Sequence, residues 1–186
     1  VTKTEGNFNN HVGLPRTILE ATSEDEIGVW EIGMNHPGEI AALAKIAQPD
    51  AAIITNVGVA HIEFMGSREA IADEKGALAD AVQPDGWVIL NADDPFVGRI
   101  ASRTRARVIL AGTTSGSLRA AEISQSANGS DFTILEGAHR CRAQLPVPGL
   151  QGLPSGQLGF PISLSGSGSG SSPGAAAGGV QFDPTI

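Results

Sequence analysis

Four apolar runs, each followed by helix-patterned sequence, constrain what this chain can fold into more than any other feature. They are Ile27-Gly28-Val29-Trp30-Glu31-Ile32, Ala51 to Val57, Trp87-Val88-Ile89-Leu90 and Val108-Ile109-Leu110. Short apolar runs bounded by turn residues read as buried strands. Between them, Pro15 to Ala21 reads as a short helix. Ile40, Leu43, Ala44 and Ala47 mark a helical face that stops before Pro49, with Pro37 suited to its first turn. Ser67 is a candidate N-cap for a helix from Arg68 to Val82, and Phe96 to Ser102 is another short helix. Strands alternating with helices predict an α/β fold with a parallel, doubly wound sheet. After Gly112 the pattern changes. Leu118 to Ser124, Ser130 to Leu135 and Arg140 to Leu145, separated by Asn128-Gly129 and Glu136-Gly137, predict a small antiparallel addition. Leu150 to Ile186 holds no Lys, Arg, His or Glu and carries a Ser/Gly tract at Ser165 to Ser172. Such a tract buries too little to offset its ordering entropy, so disorder is expected over 150–186.

Charge and cysteine usage narrow the function classes. Twelve Lys and Arg against 20 Asp and Glu give a formal net charge of -8, which argues against broad attraction to nucleic acid. Arg99, Arg103 and Arg107 fall at i, i+4 and i+8 and read as a solvated helix face. The single Cys141 cannot form an internal disulfide, and no run approaches the roughly 18 apolar residues of a membrane span. A cytoplasmic location is the expectation.

Three residue types then fall where chemistry is expected. Glu31 lies at the end of the first apolar run, and His61 lies just past the second. Parallel sheets bind ligands outside the carboxyl ends of their strands, so the two share a rim if their strands are parallel. Ile71, Lys75, Leu78 and Val82 share one helix face, which puts a lysine on an inward stripe. Such a lysine can snorkel to water. Burial would instead favour its neutral amine, which can act as a nucleophile or add carbon dioxide to form a metal-binding carbamate. Taken singly, His61 also reads as a loop histidine and Glu31 as a paired carboxylate. A metal hydrolase built on a carbamylated lysine competes, but it calls for more strand-end histidines than His11, His36, His61 and His139 supply. A non-catalytic binding module is the other alternative. The asparagine-rich stretch from Thr4 to Asn10 is either a surface loop or a substrate loop, since amides donate and accept at once.

The stretches Thr4-Glu5-Gly6-Asn7-Phe8-Asn9-Asn10, Glu31-Ile32-Gly33-Met34-Asn35-His36-Pro37-Gly38-Glu39, Asn56-Val57-Gly58-Val59-Ala60-His61 and Glu74-Lys75-Gly76 resemble, in this order, the central domain of the Mur ligase family. The likeness covers roughly residues 1–149, the remaining 150–186 reading as an appended tail. It is nearest to members that join D-alanyl-D-alanine to UDP-N-acetylmuramoyl-tripeptide. The resemblance implies ATP and Mg2+ as cofactors, with Glu31, His61 and a carbamylated Lys75 at the metal and in catalysis. It also implies Thr4, Asn7, Asn9 and Asn10 at the muramoyl substrate, and Asn91, Asp93 and Asp94 toward the nucleotide. The implied reaction passes through an acyl phosphate, and the implied state is a monomer.

Two departures qualify the resemblance. The family's glycine-rich phosphate loop ending Gly-Lys-Thr has no counterpart here, since no G-x-x-x-x-G-K-[ST] pattern occurs. After Pro148-Gly149, the family's His-Asn and further Asn are replaced by Gln151, Gly152 and Ser155. Poor ATP affinity and no turnover by this chain alone are therefore expected.

Overall fold

The computed structural model describes residues 1–146 and the backbone of 163–165. The chain divides into two compact units, Val1–Ile109 and Leu110–Ile186. The first unit opens with β1 (Thr2–Lys3), α1 (Gly13–Leu19) and β2 (Gly28–Val29), and continues with α2 (Glu39–Ala47) and β3 (Ala51–Ile54). It then runs through α3 (Ile62–Met65), α4 (Arg68–Ala81), β4 (Trp87–Asn91), α5 (Val97–Ala101) and the start of β5 (Arg107–Gly112).

Strand pairing in this unit follows the apolar runs. β3 and β4 pair in parallel, with Ala51 opposite Trp87 and Ile54 opposite Leu90. Alternation along them sends Ala52, Ile54, Val88 and Leu90 into the core, where Ile71, Ala72 and Ala79 of α4 are also buried. Ser67 caps α4, its side chain accepting from the Ala70 amide at 3.1 Å. α2 begins later than its proline suggests. Gly38 is its N-cap at φ 90°, a left-handed conformation that favours glycine, so Pro37 precedes the helix. α1 begins earlier, because Asn10 Oδ1 accepts from the amides of Val12 and Gly13 at 3.0 Å each.

Two expectations change. β2 is only two residues long and pairs with β1, in a ladder separate from the one that holds β3. The N–H groups of Thr2 and Thr4 bond the carbonyls of Ile27 and Val29. A shared sheet rim is therefore not what places Glu31 relative to His61. Nor do Arg99, Arg103 and Arg107 form a solvated helix face. α5 ends at Ala101, and Arg107 stands on β5 with its guanidinium 4.8 Å from the Trp87 ring. Arg99 forks onto Asp73 at 2.6 and 2.5 Å, while Arg103 pairs with Asp80 and donates to the Asp73 carbonyl at 2.6 Å. The spacing matched a helix by coincidence, and acids on α4 decide where Arg99 and Arg103 point.

In the second unit, the end of β5 pairs in parallel with β6 (Leu118–Ser126). β6, β7 (Gly129–Glu136) and β8 (His139–Leu145) then form the antiparallel meander expected from the turn residues. β6 carries a bulge between Ala121 and Ser124, where Glu122 sits at φ 54° and pairs with Thr133 and Arg140. β9 (Ser163–Ser165) pairs antiparallel with β8. Three residues of the stretch expected to be disordered thus form a strand, and the rest of 150–186 lies outside the described residues.

Leu90 is 2 % exposed and Ile53 on the opposite face is 51 % exposed. Leu90→Ala should cost about 2–5 kcal/mol by cavity formation, and Ile53→Thr less than about 1 kcal/mol. Urea unfolding of the two variants measures this contrast.

Candidate functional site

Glu31 sits two residues beyond β2, and the amino-terminal loop holds it. Its backbone N–H donates to Thr4 Oγ1 at 2.9 Å, and its carboxylate Oε1 accepts from Asn9 Nδ2 at 2.9 Å. Asn9 is 5 % exposed, and its own carbonyl accepts from the Gly33 amide at 2.9 Å. A Cβ on Gly33 would lie 2.8 Å from the Asn9 side chain, so this approach requires glycine. Thr4, Asn9 and Asn10 therefore do structural work. Thr4 and Asn9 orient the Glu31 segment, and Asn10 starts α1. Asn7 is exposed, its carbonyl accepting from the Asn9 amide at 2.8 Å.

Lys75 is half-buried on α4. Its Nζ donates to the Asn56 carbonyl at 2.8 Å, just past the end of β3. Burial holds the amine below its ordinary value of 10.5, and the negative charge of Asp94 opposes that shift. Asp94 is itself engaged at both oxygens, accepting from the Val57 amide at 2.6 Å and the Phe96 amide at 2.8 Å. Asn91 closes a tight turn by accepting from the Asp93 amide at 2.9 Å. Asp93 is exposed beside it. Asn56, Val57, Asn91 and Asp94 line a cavity of only about 10 Å³. That is far below the roughly 300–1,000 Å³ of a small-molecule pocket.

His61 is the N-cap of α3, in the left-handed region at φ 60°, with its carbonyl accepting from the amides of Phe64 and Met65 at 3.0 Å each. A positive φ at a non-glycine residue costs energy and marks a position worth attention. His61 thus follows β3 as expected, and the β3 exit that leads to it is the segment Lys75 holds.

Two carboxylates escaped the sequence reading. Glu74 is 8 % exposed, and its oxygens accept from the amides of Gly38 and Ile40 at 2.8 Å each. A side chain of α4 thereby caps the N-terminus of α2, a place where a negative charge is favoured. Glu39 turns back onto the preceding loop, accepting from Asn35 at 2.6 Å and His36 at 3.1 Å. Those two amides hold its carboxyl below the ordinary 4.5. The His36 ring meets the Phe64 ring at 5.1 Å. The loop from Asn35 to Gly38 is thus fixed from α2, α3 and α4. Glu74 had one usable signal: it falls three residues after Ile71, on the inward side of its helix.

A model of the Mur ligase middle domain matches residues 1–153. The chain belongs to the Mur ligase middle domain family. The UDP-N-acetylmuramoyl-tripeptide–D-alanyl-D-alanine ligase of Bacillus subtilis is 42% identical over 135 residues, which are 72% of this chain and 29% of that protein. A crystal structure of MurF from Acinetobacter baumannii aligns with TM-score 0.75 and 31% identity, over 80% of this chain and 33% of that one. MurF from Thermotoga maritima in complex with ADP aligns with TM-score 0.68 and 30% identity, over 76% of this chain and 33% of that one. The chain thus spans about a third of the length of these relatives. No helix among the described residues is long and apolar enough to cross a membrane.

A Mur ligase middle domain that holds a divalent cation needs anionic ligands. No group of three or more His, Cys, Asp or Glu side chains among the described residues is gathered to hold one. Glu31 and His61 therefore suffice only if Lys75 contributes an acid. A carbamate would supply it: an oxygen ligand, with one N–H left to donate to Asn56. The added negative charge beside Asp94 would in turn favour a cation, and a carboxylate, an imidazole and a carbamate are a donor set whose chemistry would suit a divalent ion.

Removing the Glu74 cap should loosen α2. Glu74→Ala is expected to cost about 1–3 kcal/mol by stranding the buried Ile40 amide and freeing the part-buried Gly38 amide. Glu74→Gln should cost less, because its amide keeps one acceptor. Thermal unfolding, read with hydrogen exchange at Gly38 and Ile40, distinguishes the two.

Proposed function

We propose that this chain is the central portion of an ATP-dependent ligase of the cytoplasm. Its reaction joins D-alanyl-D-alanine to UDP-N-acetylmuramoyl-tripeptide in building the peptidoglycan precursor. Residues 1–149 form the domain, and 150–186 are a low-complexity extension. The active unit is a monomer. The observation that carries the reading is Lys75, a half-buried amine at the segment leading to His61, in a chain similar to ligases of that name.

In this reaction the terminal phosphoryl group of ATP passes to the peptide carboxylate, giving an acyl phosphate and ADP. The dipeptide amine then attacks the acyl carbon, phosphate leaves, and an amide forms. Mg2+, held by Glu31, His61 and carbamylated Lys75, would offset the negative charge of the phosphates. Asn9 orients Glu31 toward that task, and Lys75 keeps the β3 exit in place. Exposed Asn7 presents the edge of the loop to the muramoyl substrate, and Thr4, Asn9 and Asn10 shape the loop behind it. Asn91 and Asp93 face the nucleotide, with Asp94 holding their turn against Val57.

Labelled bicarbonate tests this without turnover. Carbon-13 NMR of the chain with Mg2+ should show a carbamate signal that disappears in Lys75→Ala, and Glu31→Ala should weaken Mg2+ binding. A wild-type chain with no such signal, and a Mg2+ affinity indifferent to Glu31, would remove the basis of the reading.

A further inference from the structure

The peptide groups after β3 are gripped more completely than packing requires. Three charged side chains take their backbone atoms. Lys75 bonds the Asn56 carbonyl, Asp94 the Val57 amide, and Arg68 Nη2 the Val57 carbonyl at 2.7 Å. Arg68 opens α4, where the helix dipole disfavours a cation. Its Nε is buried and has no hydrogen-bond partner. Its guanidinium lies 5.0 Å from the centre of the Phe96 ring, two residues past Asp94. An exposed arginine would avoid the burial cost, and one outside the first turn would avoid the dipole as well. What this placement achieves is a fixed Val57 carbonyl.

The next residues show why that carbonyl matters. Gly58, Val59 and Ala60 lead from Val57 directly to His61. Beyond them, the Ile62 amide bonds the Val59 carbonyl at 3.2 Å, and the His61 carbonyl accepts from Phe64 and Met65. The segment is thus anchored on both sides of His61, and Arg68 and Asp94 supply the upstream anchor. Gly58 alone would leave it loose, since a glycine has the widest backbone freedom.

We propose that Arg68, stacked on Phe96 and acting with Asp94, is a positioning residue that fixes the Val57–His61 segment and so presents the His61 ring to a divalent cation. The inference rests on the reading of His61 as a cation ligand. Arg68 itself touches neither the cation nor the substrate. Its effect passes through the Val57 carbonyl, as partners behind a ligand orient that ligand.

Mn2+ serves as the probe, added to the full chain in bicarbonate buffer. Binding is followed by paramagnetic broadening of the His61 ring signals, with unfolding midpoints measured in parallel. Arg68→Met should weaken Mn2+ binding at His61 by about tenfold, and Arg68→Lys, which can still donate to Val57, should recover most of it. A purely structural arginine would lower the unfolding midpoint and leave the broadening at its wild-type Mn2+ concentration, which overturns the proposal. Should Arg68→Met fail to fold, Phe96→Leu removes the stacking surface alone. A smaller loss of affinity is then expected, and an unchanged affinity overturns the proposal equally. His61→Ala separates the two levels. If it binds Mn2+ like the wild type, as read by water-proton relaxation in both chains, the cation-ligand reading itself fails and this inference fails with it.

Discussion

The grip on Asn56 and Val57 is the constraint from which the rest of the first unit follows. A parallel strand ends with amides and carbonyls that have no further ladder partner, and leaving them buried and unpaired is costly. Here α4 and the turn after β4 supply the partners as charged side chains. The same bonds fix where α4 lies against β3 and where the β4 turn sits, because Lys75 and Arg68 are on one and Asp94 is on the other. An ammonium, a guanidinium and a carboxylate in one small region also offset one another's charge, which eases the burial of each.

A similar economy governs the loops. Glu74 and Glu39 bind the amides around Asn35–Gly38, and Asn9 and Thr4 bind the Glu31 segment. None of these bonds belongs to a helix or a strand ladder. They hold irregular backbone in defined shapes, which is what a site assembled from loops needs from its scaffold. β2 shows the consequence. Only two residues of that apolar run pair as a strand, and beyond them side chains carry the chain to Glu31.

Local chemistry made much of this legible in advance. The Ser67 cap, the α4 face through Ile71 and Val82, and the meander turns were all written in short stretches with a single reading. The inward placement of Lys75 followed from the same periodicity. What remained hidden depended on partners distant in sequence. Glu74 meets Gly38 and Ile40 across 36 and 34 residues, and Arg103 meets Asp80 across 23. Charged residues at helix–helix contacts look like solvated ones until the facing helix is known. That is why the pairing of Arg99 and Arg103 with acids on α4 was missed and Arg68 passed unnoticed. The β1–β2 ladder was hidden for a related reason, since a two-residue strand has no period to detect.

The proposed function requires that Glu31, His61 and a modified Lys75 serve one cation. Crystals grown with Mn2+ and bicarbonate, measured at a wavelength where manganese scatters anomalously, address that claim most directly. The prediction is one strong anomalous peak ligated by Glu31, by the His61 ring and by a carboxylate borne on Lys75. An anomalous peak elsewhere, with Lys75 an unmodified amine still bonded to Asn56, would contradict it.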